Sequence, residues 1–424
     1  MTSTDRRRTR LLLITESFYP VYAGPAVRFR RYLPGFRERG IDVTVVTGTP
    51  KGSKAGMSGF LPAWRDAEVG SFLPVEEVDG AAVHRIRLPD EGRKQRGVWF
   101  RRRATELALR ADLKPDVVQF LSYGGLWIHM VNALRDRGIG TVFTGTMVSE
   151  PPPNPLKRHI QRFRLIRPLD RVDRVVVSSS VMKEMMARWR MTDSIDVIPN
   201  GVDLERFHPS RDPSQRRTIR SGWGVPKNAT VTLFVGPISP RKGVDLLLKA
   251  WAVAAREQPN LHLVLAGPRR DLADPALSGF RDILERLKSE SGAADRVHFI
   301  GLIENVEEHM RAADQFVFSS QREGMPNVIP EAMATGLAVL TTPFVGLPAE
   351  FGAPERDYLL TNFDPQALGT SMARLAGDRA LRERIGSAAR RWAESEMAVR
   401  VSLDRYSALY TKLATDGRSD DVSD

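Results

Sequence analysis

Short, nearly continuous apolar runs recur along the chain, separated by longer stretches with helical spacing. In the first half they are "RLLLIT" (10–15), "IDVTVVTG" (41–48), "DVVQFL" (116–121), "GTVFTG" (140–145) and "DRVVVSS" (173–179). Helical patterns lie between several of them, at 26–39, 98–112 and 125–137. The second half repeats the design with "ATVTLFVG" (229–236), "LHLVLAG" (261–267), "VHFIG" (297–301), "QFVFSS" (315–320) and "AVLTT" (338–342). Runs without polar alternation, separated by helices, predict parallel strands covered on both faces. The expectation is therefore two α/β sheets in tandem. The turn-rich stretch "DVIPNGVDLERFHPS" (196–210) is the expected join. Residues 89–97, "PDEGRKQRG", read as a mobile loop, and the polar end "DGRSDDVSD" reads as a disordered tail.

Length agrees with this division, since 424 residues exceed what one core usually serves. There is no apolar run long enough for a membrane-spanning helix, and the start, with Glu16 directly after a four-residue apolar run, reads as a first strand rather than a signal peptide. With no cysteine, disulfides and thiolate metal sites are excluded, and a cytoplasmic address is the default.

Charge changes the picture more. The net charge is +12. Residues 1–200 hold 34 Lys+Arg and 21 Asp+Glu, or +13; the remaining 29 and 30 give −1 for residues 201–424. A basic first half suggests an anionic partner: a membrane surface, a phosphate-bearing substrate or nucleic acid. Aromatic and apolar side chains interleave with arginines at Phe29, Tyr32, Leu33 and Phe36 beside Arg28, Arg31 and Arg39, and at Trp99 and Phe100 beside Arg101, Arg102 and Arg103. That pattern suits an anionic lipid surface. Equally, the aromatics are core and the arginines solvated. No nucleic-acid reader motif accompanies the charge.

In open parallel sheets, ligands bind beyond the carboxyl ends of the strands, so the loops there carry the candidate chemistry. The first, "TESFYPVYAGPAVRF", brings Gly24 to a helix start, where backbone N–H groups favour anions. In "FVGPISPRKGVDLLLKAW", Gly236 is followed by Arg241 and Lys242 just ahead of a helix. Cations there oppose the helix dipole, and a bound diphosphate would explain them. Neither a P-loop nor a G-x-G-x-x-G is present, which disfavours ATP hydrolysis and NAD chemistry. The third loop, "EGMPNVIPE", sets Glu323 and Glu331 eight positions apart around Met325, Pro326, Asn327 and Val328. Asn327 is the expected N-cap, its neighbouring N–H groups could hold an anion, and the two carboxylates could accept hydrogen bonds from sugar hydroxyls. The fourth, "TTPFVGLPAEFG", makes a close-approach turn at Gly346. No metal-ligand cluster stands out.

Together, "YPVYAGPAVRFRRYLPGFRERGIDVTVVT", "VIPNGVDLERF", "RKGVDLLLKAW", "VHFIGLI" and "SSQREGMPNVIPEAMATGLAVLTTPFVGLPAE" resemble the retaining nucleotide-sugar glycosyltransferases of glycosyltransferase family 4. The resemblance spans about residues 10–410 and is densest from 196 to 350. It implies the GT-B fold, two tandem Rossmann-like domains facing each other across a cleft. The acceptor side would be residues 1–205 and the donor side 206–399, with a closing helix at about 400–416 packing back on the first domain and a tail at 417–424. It further implies that Glu331 accepts the ribose hydroxyls and that Glu323 contacts the donor sugar. Lys242 would neutralise the diphosphate, with Gly24 and the amides around Asn327 and Val328 completing the cradle.

The chain departs from the family at Pro237, where an arginine on the diphosphate is common; Arg241 is the expected substitute. It departs again where the family carries histidines: here stand Gln119, Leu121 and Thr146, and none of the seven histidines falls there. The acceptor side is assigned to Thr146, Gln119 and Tyr22. The implied enzyme is a metal-independent, retaining hexosyltransferase that needs no cofactor beyond its nucleoside-diphosphate sugar. Its acceptor would be lipid-linked or small, and it would lie in the cytoplasm or at the inner face of the membrane. Two rivals stay open: a nucleotide-sugar epimerase, and a non-catalytic sugar-nucleotide scaffold.

Overall fold

A computed structural model describes residues 7–20, 24–50, 64, 66–90, 92–121, 127–145, 154–161, 166–189, 194–269, 272, 275–348 and 350–419. The chain divides into two compact units, residues 1–199 with 400–424, and residues 200–399.

Unit 1 is built on an eight-stranded sheet. Its strands are β1 (Thr9–Ile14), β2 (Ile41–Gly48), β3 (Glu76–Val78), β4 (Ala81–Ile86), β5 (Val117–Phe120), β6 (Gly140–Gly145), β7 (Arg174–Val177) and β8 (Ile195–Val197). Their order is β3-β4-β2-β1-β5-β6-β7-β8, parallel except for the β3–β4 pair. Leu11 sits opposite Val43 on one side and Val117 on the other, so β1 is central and its side chains are buried on both faces. The order runs outward in both directions from β1 and β5, which makes their carboxyl ends the switch point of this sheet.

Helix Gly24–Glu38 covers one face. Phe29, Tyr32, Leu33 and Phe36 are all buried, and Phe29, Tyr32 and Phe36 pack against Tyr406 of the closing helix Val399–Ser419. That helix is tied to unit 1 by Arg39–Asp404 at 2.8 Å and by Tyr410, whose hydroxyl donates to Gln119 Oε1 at 3.1 Å. Phe100 is also fully buried, and Trp99 packs on the same core. The aromatics of the suggested lipid-facing patch are therefore core side chains, which removes the apolar half of that reading. Residues 93–97, expected as loop, are instead the first turns of helix Arg93–Ala108. Arg96 holds that start in place by donating to the Thr49 carbonyl at 2.5 Å. Helix Val399–Ser419 likewise runs into the expected tail, whose last residues, 420–424, lie outside the described residues.

Unit 2 carries a six-stranded parallel sheet: β9 (Thr230–Val235), β10 (Leu261–Ala266), β11 (Val297–Gly301), β12 (Gln315–Phe318), β13 (Ala338–Thr341) and β14 (Leu359–Leu360). The order is β11-β10-β9-β12-β13-β14. Leu233 lies opposite Val264 and Phe316, so β9 is again the inner strand and the switch point falls between β9 and β12. Two apolar layers sandwich the sheet, one around Trp251 and Leu263, the other around Phe316 and Met333. Among the described residues, no helix is long and apolar enough to cross a membrane.

Candidate functional site

The loops leaving β9 and β12 meet at the switch point of unit 2. Beyond β9, Gly236 donates its N–H to the Ala266 carbonyl at 2.9 Å, and a 3-10 turn at Pro240–Lys242 follows. Gly243 then turns the chain into helix Val244–Glu257 with φ +64. A Cβ there would lie 2.0 Å from the Ser319 carbonyl, so the backbone beyond β9 presses directly on the backbone beyond β12. Ser319 Oγ donates to the Lys242 carbonyl at 3.1 Å and closes the same contact.

This pressing places Lys242 beside Glu323. Lys242 Nζ is 2.8 Å from Glu323 Oε1, and both side chains are largely buried. Arg241 Nη1 donates to the same carboxylate oxygen and, at 3.1 Å, to the Arg322 carbonyl. Ser320 Oγ stands 2.9 Å from Glu323 Oε1. Burial lowers the Lys242 ammonium below its ordinary value, and the neighbouring carboxylate offsets part of that. Burial also disfavours charge on Glu323, but Lys242, Ser320 and Arg241 outweigh it and hold the carboxyl below its usual range. The result is an ionised carboxylate held by two cations, with Lys242 Nζ still carrying N–H groups for a further anion.

The Glu323 loop is fixed from behind. Glu323 N–H donates to the Val345 carbonyl and Val345 N–H to the Gln321 carbonyl, each at 3.1 Å. Gly346 has φ +108, and a Cβ on it would lie 2.1 Å from the Glu323 carbonyl. Its close approach is thus to the Glu323 backbone. Further along, Asn200 Nδ2 donates to the Met325 carbonyl at 3.1 Å and to Asn327 Oδ1 at 2.9 Å. Asn327 was expected to cap the next helix. Its side chain makes no capping bond and its backbone is already helical, because Asn200 has engaged the amide oxygen instead.

Helix Val328–Ala334 follows, with Pro330 in its first turn. Glu331 is 7% exposed, lies one turn in, and donates its N–H to the Asn327 carbonyl at 3.1 Å. Its charge reaches Arg206. Burial opposes that guanidinium, but Glu307, Glu331 and Asp203 hold its pKa above the ordinary value. So the expected residues Gly236, Arg241, Lys242, Glu323, Met325, Pro326, Asn327, Val328, Glu331 and Gly346 all belong to unit 2, and Arg241, Lys242 and Glu323 are in direct contact.

The remaining candidates belong to unit 1. Gly24 opens helix Gly24–Glu38. Gln119 is fully buried, with its Nε2 donating to Thr144 Oγ1 at 2.7 Å and its Oε1 receiving Tyr410. Both ends of this amide are engaged, which corrects the expectation of a side chain turned to an acceptor: here it ties β5 to β6 and to the closing helix. Tyr22 and Thr146 lie outside the described residues. Sequence reasoning missed Asn200 and Ser320. The first stands in the "PNGVD" stretch and the second directly precedes the Glu323 loop, but their partners are tertiary. Among the described residues, no group of three or more His, Asp or Glu side chains gathers as a metal site would.

Comparison with known proteins divides along the same lines. Residues 22–206 match the family model described as Glycosyltransferase Family 4, and residues 215–392 match that of Glycosyl transferases group 1. D-inositol 3-phosphate glycosyltransferase of Streptomyces avermitilis is 31% identical over 264 residues, 60% of this chain and 55% of that protein. Mannosylfructose-phosphate synthase of Agrobacterium fabrum is 34% identical over 182 residues, 42% of this chain and 39% of that protein. The matches thus span about half the length of these relatives. Sucrose-phosphate synthase of Thermosynechococcus elongatus aligns in three dimensions with a TM-score of 0.74 at 22% identity, over 96% of this chain and 100% of that one. Anabaena HepE, solved in complex with UDP-glucose, aligns at 0.71 and 18% identity over 96% and 100%. These likenesses show the GT-B fold. Both family models describe glycosyltransferases, and neither supports an epimerase.

Proposed function

The chain belongs to the glycosyltransferases of the family 4 type, and from that premise we propose that it moves a sugar from a nucleoside-diphosphate sugar to an acceptor hydroxyl, with retention of the anomeric configuration and without a metal ion. Unit 2 would hold the donor and unit 1 the acceptor. The observation that carries the reading is the Lys242–Glu323 pair, 2.8 Å apart at the switch point of the unit 2 sheet.

Each group has a task suited to its chemistry. Lys242, with Arg241 beside it, would face the diphosphate and stabilise the charge that grows on it as the sugar leaves. Glu323, kept ionised, would accept hydrogen bonds from donor-sugar hydroxyls. Glu331 would accept from the ribose. Attack from the same face as departure would retain configuration, with the leaving phosphate oxygen receiving the acceptor proton. No base from the protein is required for that step. The fixed cations would supply the charge stabilisation a metal provides elsewhere. HepE was solved with UDP-glucose, which makes uracil the first base to test.

Thermal-shift titration with UDP, GDP, ADP and dTDP, then with sugar conjugates of the best, tests the donor. One base and one conjugate should shift the melting temperature together. No shift with any would favour a scaffold. Product anomers read by NMR, with and without EDTA, test retention and metal independence. An anionic membrane surface as partner has the basic first half in its favour and the buried aromatics against it. Flotation with anionic vesicles at low salt decides it.

A further inference from the structure

Four arginines are buried among the described residues: Arg28, Arg85, Arg87 and Arg220. Three are matched. Arg85 meets Glu76 at 2.9 Å, Arg87 grips Asp90 with bonds of 3.0 and 3.1 Å, and Arg220 holds Asp314 and the Ala312 carbonyl. Arg28, 6% exposed, has no ion pair among the described residues. Its Nε and Nη2 are buried without a hydrogen-bond partner. The ring of Phe29, 5.4 Å from the guanidinium carbon, offers attraction but no acceptor for those N–H groups. A guanidinium cannot shed its proton to escape burial, so an unmatched one is costly unless something else supplies the charge.

The surroundings say what that would be. Arg28 lies one turn into the helix after β1 and faces two buried phenols of the closing helix. Burial raises the pKa of Tyr406 and of Tyr410, and the charge of Arg28 pulls both back. The Tyr406 hydroxyl is buried beside Thr144 yet makes no hydrogen bond of ordinary geometry. Tyr410 is wired to Gln119, and Gln119 to Thr144. Gln119 and Thr144 are the penultimate residues of β5 and β6. The cluster therefore sits at the carboxyl ends of the strands beside the unit 1 switch point, where open α/β sheets take their ligands. It offers a fixed positive charge and three unmet donors. A carboxylate is absent from it among the described residues, and an oxyanion such as phosphate would complement the set.

We propose that Arg28 and Tyr406 form an oxyanion site in unit 1 that holds the phosphate of a phosphorylated acceptor. The inference rests on the glycosyltransferase reading for the word acceptor, but not for the anion site itself. Phosphate could come from a soluble sugar phosphate or from a lipid headgroup, and both present the same oxygens.

The test titrates inorganic phosphate into the full chain, with saturating UDP present to occupy the donor side, and follows melting temperature and heat of binding. Arg28→Met should bind phosphate at least tenfold more weakly than the parent while binding UDP equally well. In phosphate-free buffer the same variant should melt no lower than the parent, since it removes an unmatched charge. Arg28→Lys keeps the charge without the fork and should recover part of the phosphate response; it also serves if the Met variant fails to fold. Glucose 6-phosphate and phosphatidic-acid vesicles then separate the sources: Arg28-dependent stabilisation by the first, or Arg28-dependent flotation with the second. Unchanged phosphate affinity in both variants overturns the site. If UDP fails to bind the parent while phosphate binding still depends on Arg28, the donor reading falls and the anion site stands.

Discussion

Lys242 Nζ and Glu323 Oε1 are 2.8 Å apart, although 81 positions separate the residues and each belongs to a different loop. The pair is a shared arrangement, so its members should fail differently. Glu323→Gln removes a carboxylate that both orders Lys242 and would accept from the sugar. Free nucleoside diphosphate should bind about as before, because Lys242 remains. The extra affinity from the sugar should fall by about 10- to 100-fold, the worth of a charge-assisted hydrogen bond. Lys242→Met should weaken diphosphate binding and reduce kcat by about 100-fold or more, as loss of one fixed electrostatic stabiliser does. Calorimetry with UDP and its sugar conjugate separates the two. Equal loss of both ligands in Glu323→Gln would show that the carboxylate serves the phosphates through Lys242 and does not touch the sugar.

Glu331 stands apart from that pair, one turn inside a helix whose other residues from Ile329 to Ala334 are buried. If it accepts from a ribose, Glu331→Gln should weaken the free nucleoside and the nucleoside diphosphate by the same factor, roughly 10-fold. Inorganic pyrophosphate should bind unchanged. A loss confined to the sugar conjugate would exchange the two glutamates' roles.

Much of this was legible in the chain, and what was not has identifiable causes. The long apolar strands announced both sheets because parallel strands buried on two faces need no polar alternation. The β3–β4 hairpin escaped because Arg85 and His84 interrupt β4, and Arg85 turns inward to meet Glu76. Its signal was nonetheless present, since Asp79 and Gly80 have φ of 50 and 80, the pairing of a two-residue hairpin turn. The spacing of Glu323 and Glu331 marked the donor loop, yet nothing local connects it to Asn200, whose two bonds span 125 and 127 positions. Arg28 misled in the opposite direction. The pattern set it with Arg31 and Arg39 off the apolar face, and the closing helix then buries it.

Gly346 offers a test of whether the Glu323 backbone must stay where it is. A Cβ at this residue would lie 2.1 Å from the Glu323 carbonyl and 2.6 Å from that of Gly324, and φ is +108. Gly346→Ala therefore has to move backbone, not a flexible side chain. Stability should drop by roughly 1–3 kcal/mol, as it does when a side chain is forced into a strained backbone conformation. Catalytic turnover should drop further than melting predicts, because Glu323 moves off Lys242. UDP affinity should hold. An active, equally stable variant would mean the loop has slack that the contact distances deny.

At the far side of unit 2, His262 Nδ1 and His298 Nε2 are 3.0 Å apart on neighbouring strands, with rings nearly parallel. The contact works with one ring as donor and the other as acceptor, which protonation of both destroys. Burial, then the charge of His298 and of Arg296, lowers the pKa of His262 to about 4. Burial and Lys288 lower that of His298 too. Both folded values fall below the 6.5 of an exposed imidazole. As pH drops from 6.5 toward 4, the unfolded chain gains protons that the folded chain refuses, so stability falls across this window. The melting temperature should decline from pH 7 to pH 5, before the carboxylates titrate. Replacing both residues with Gln, which keeps a donor and an acceptor, should flatten the decline by about 2–4 °C. His309, also lowered by burial, will leave a residual slope. An identical pH profile in the double variant would mean that water already reaches the imidazoles and hydrates their charge.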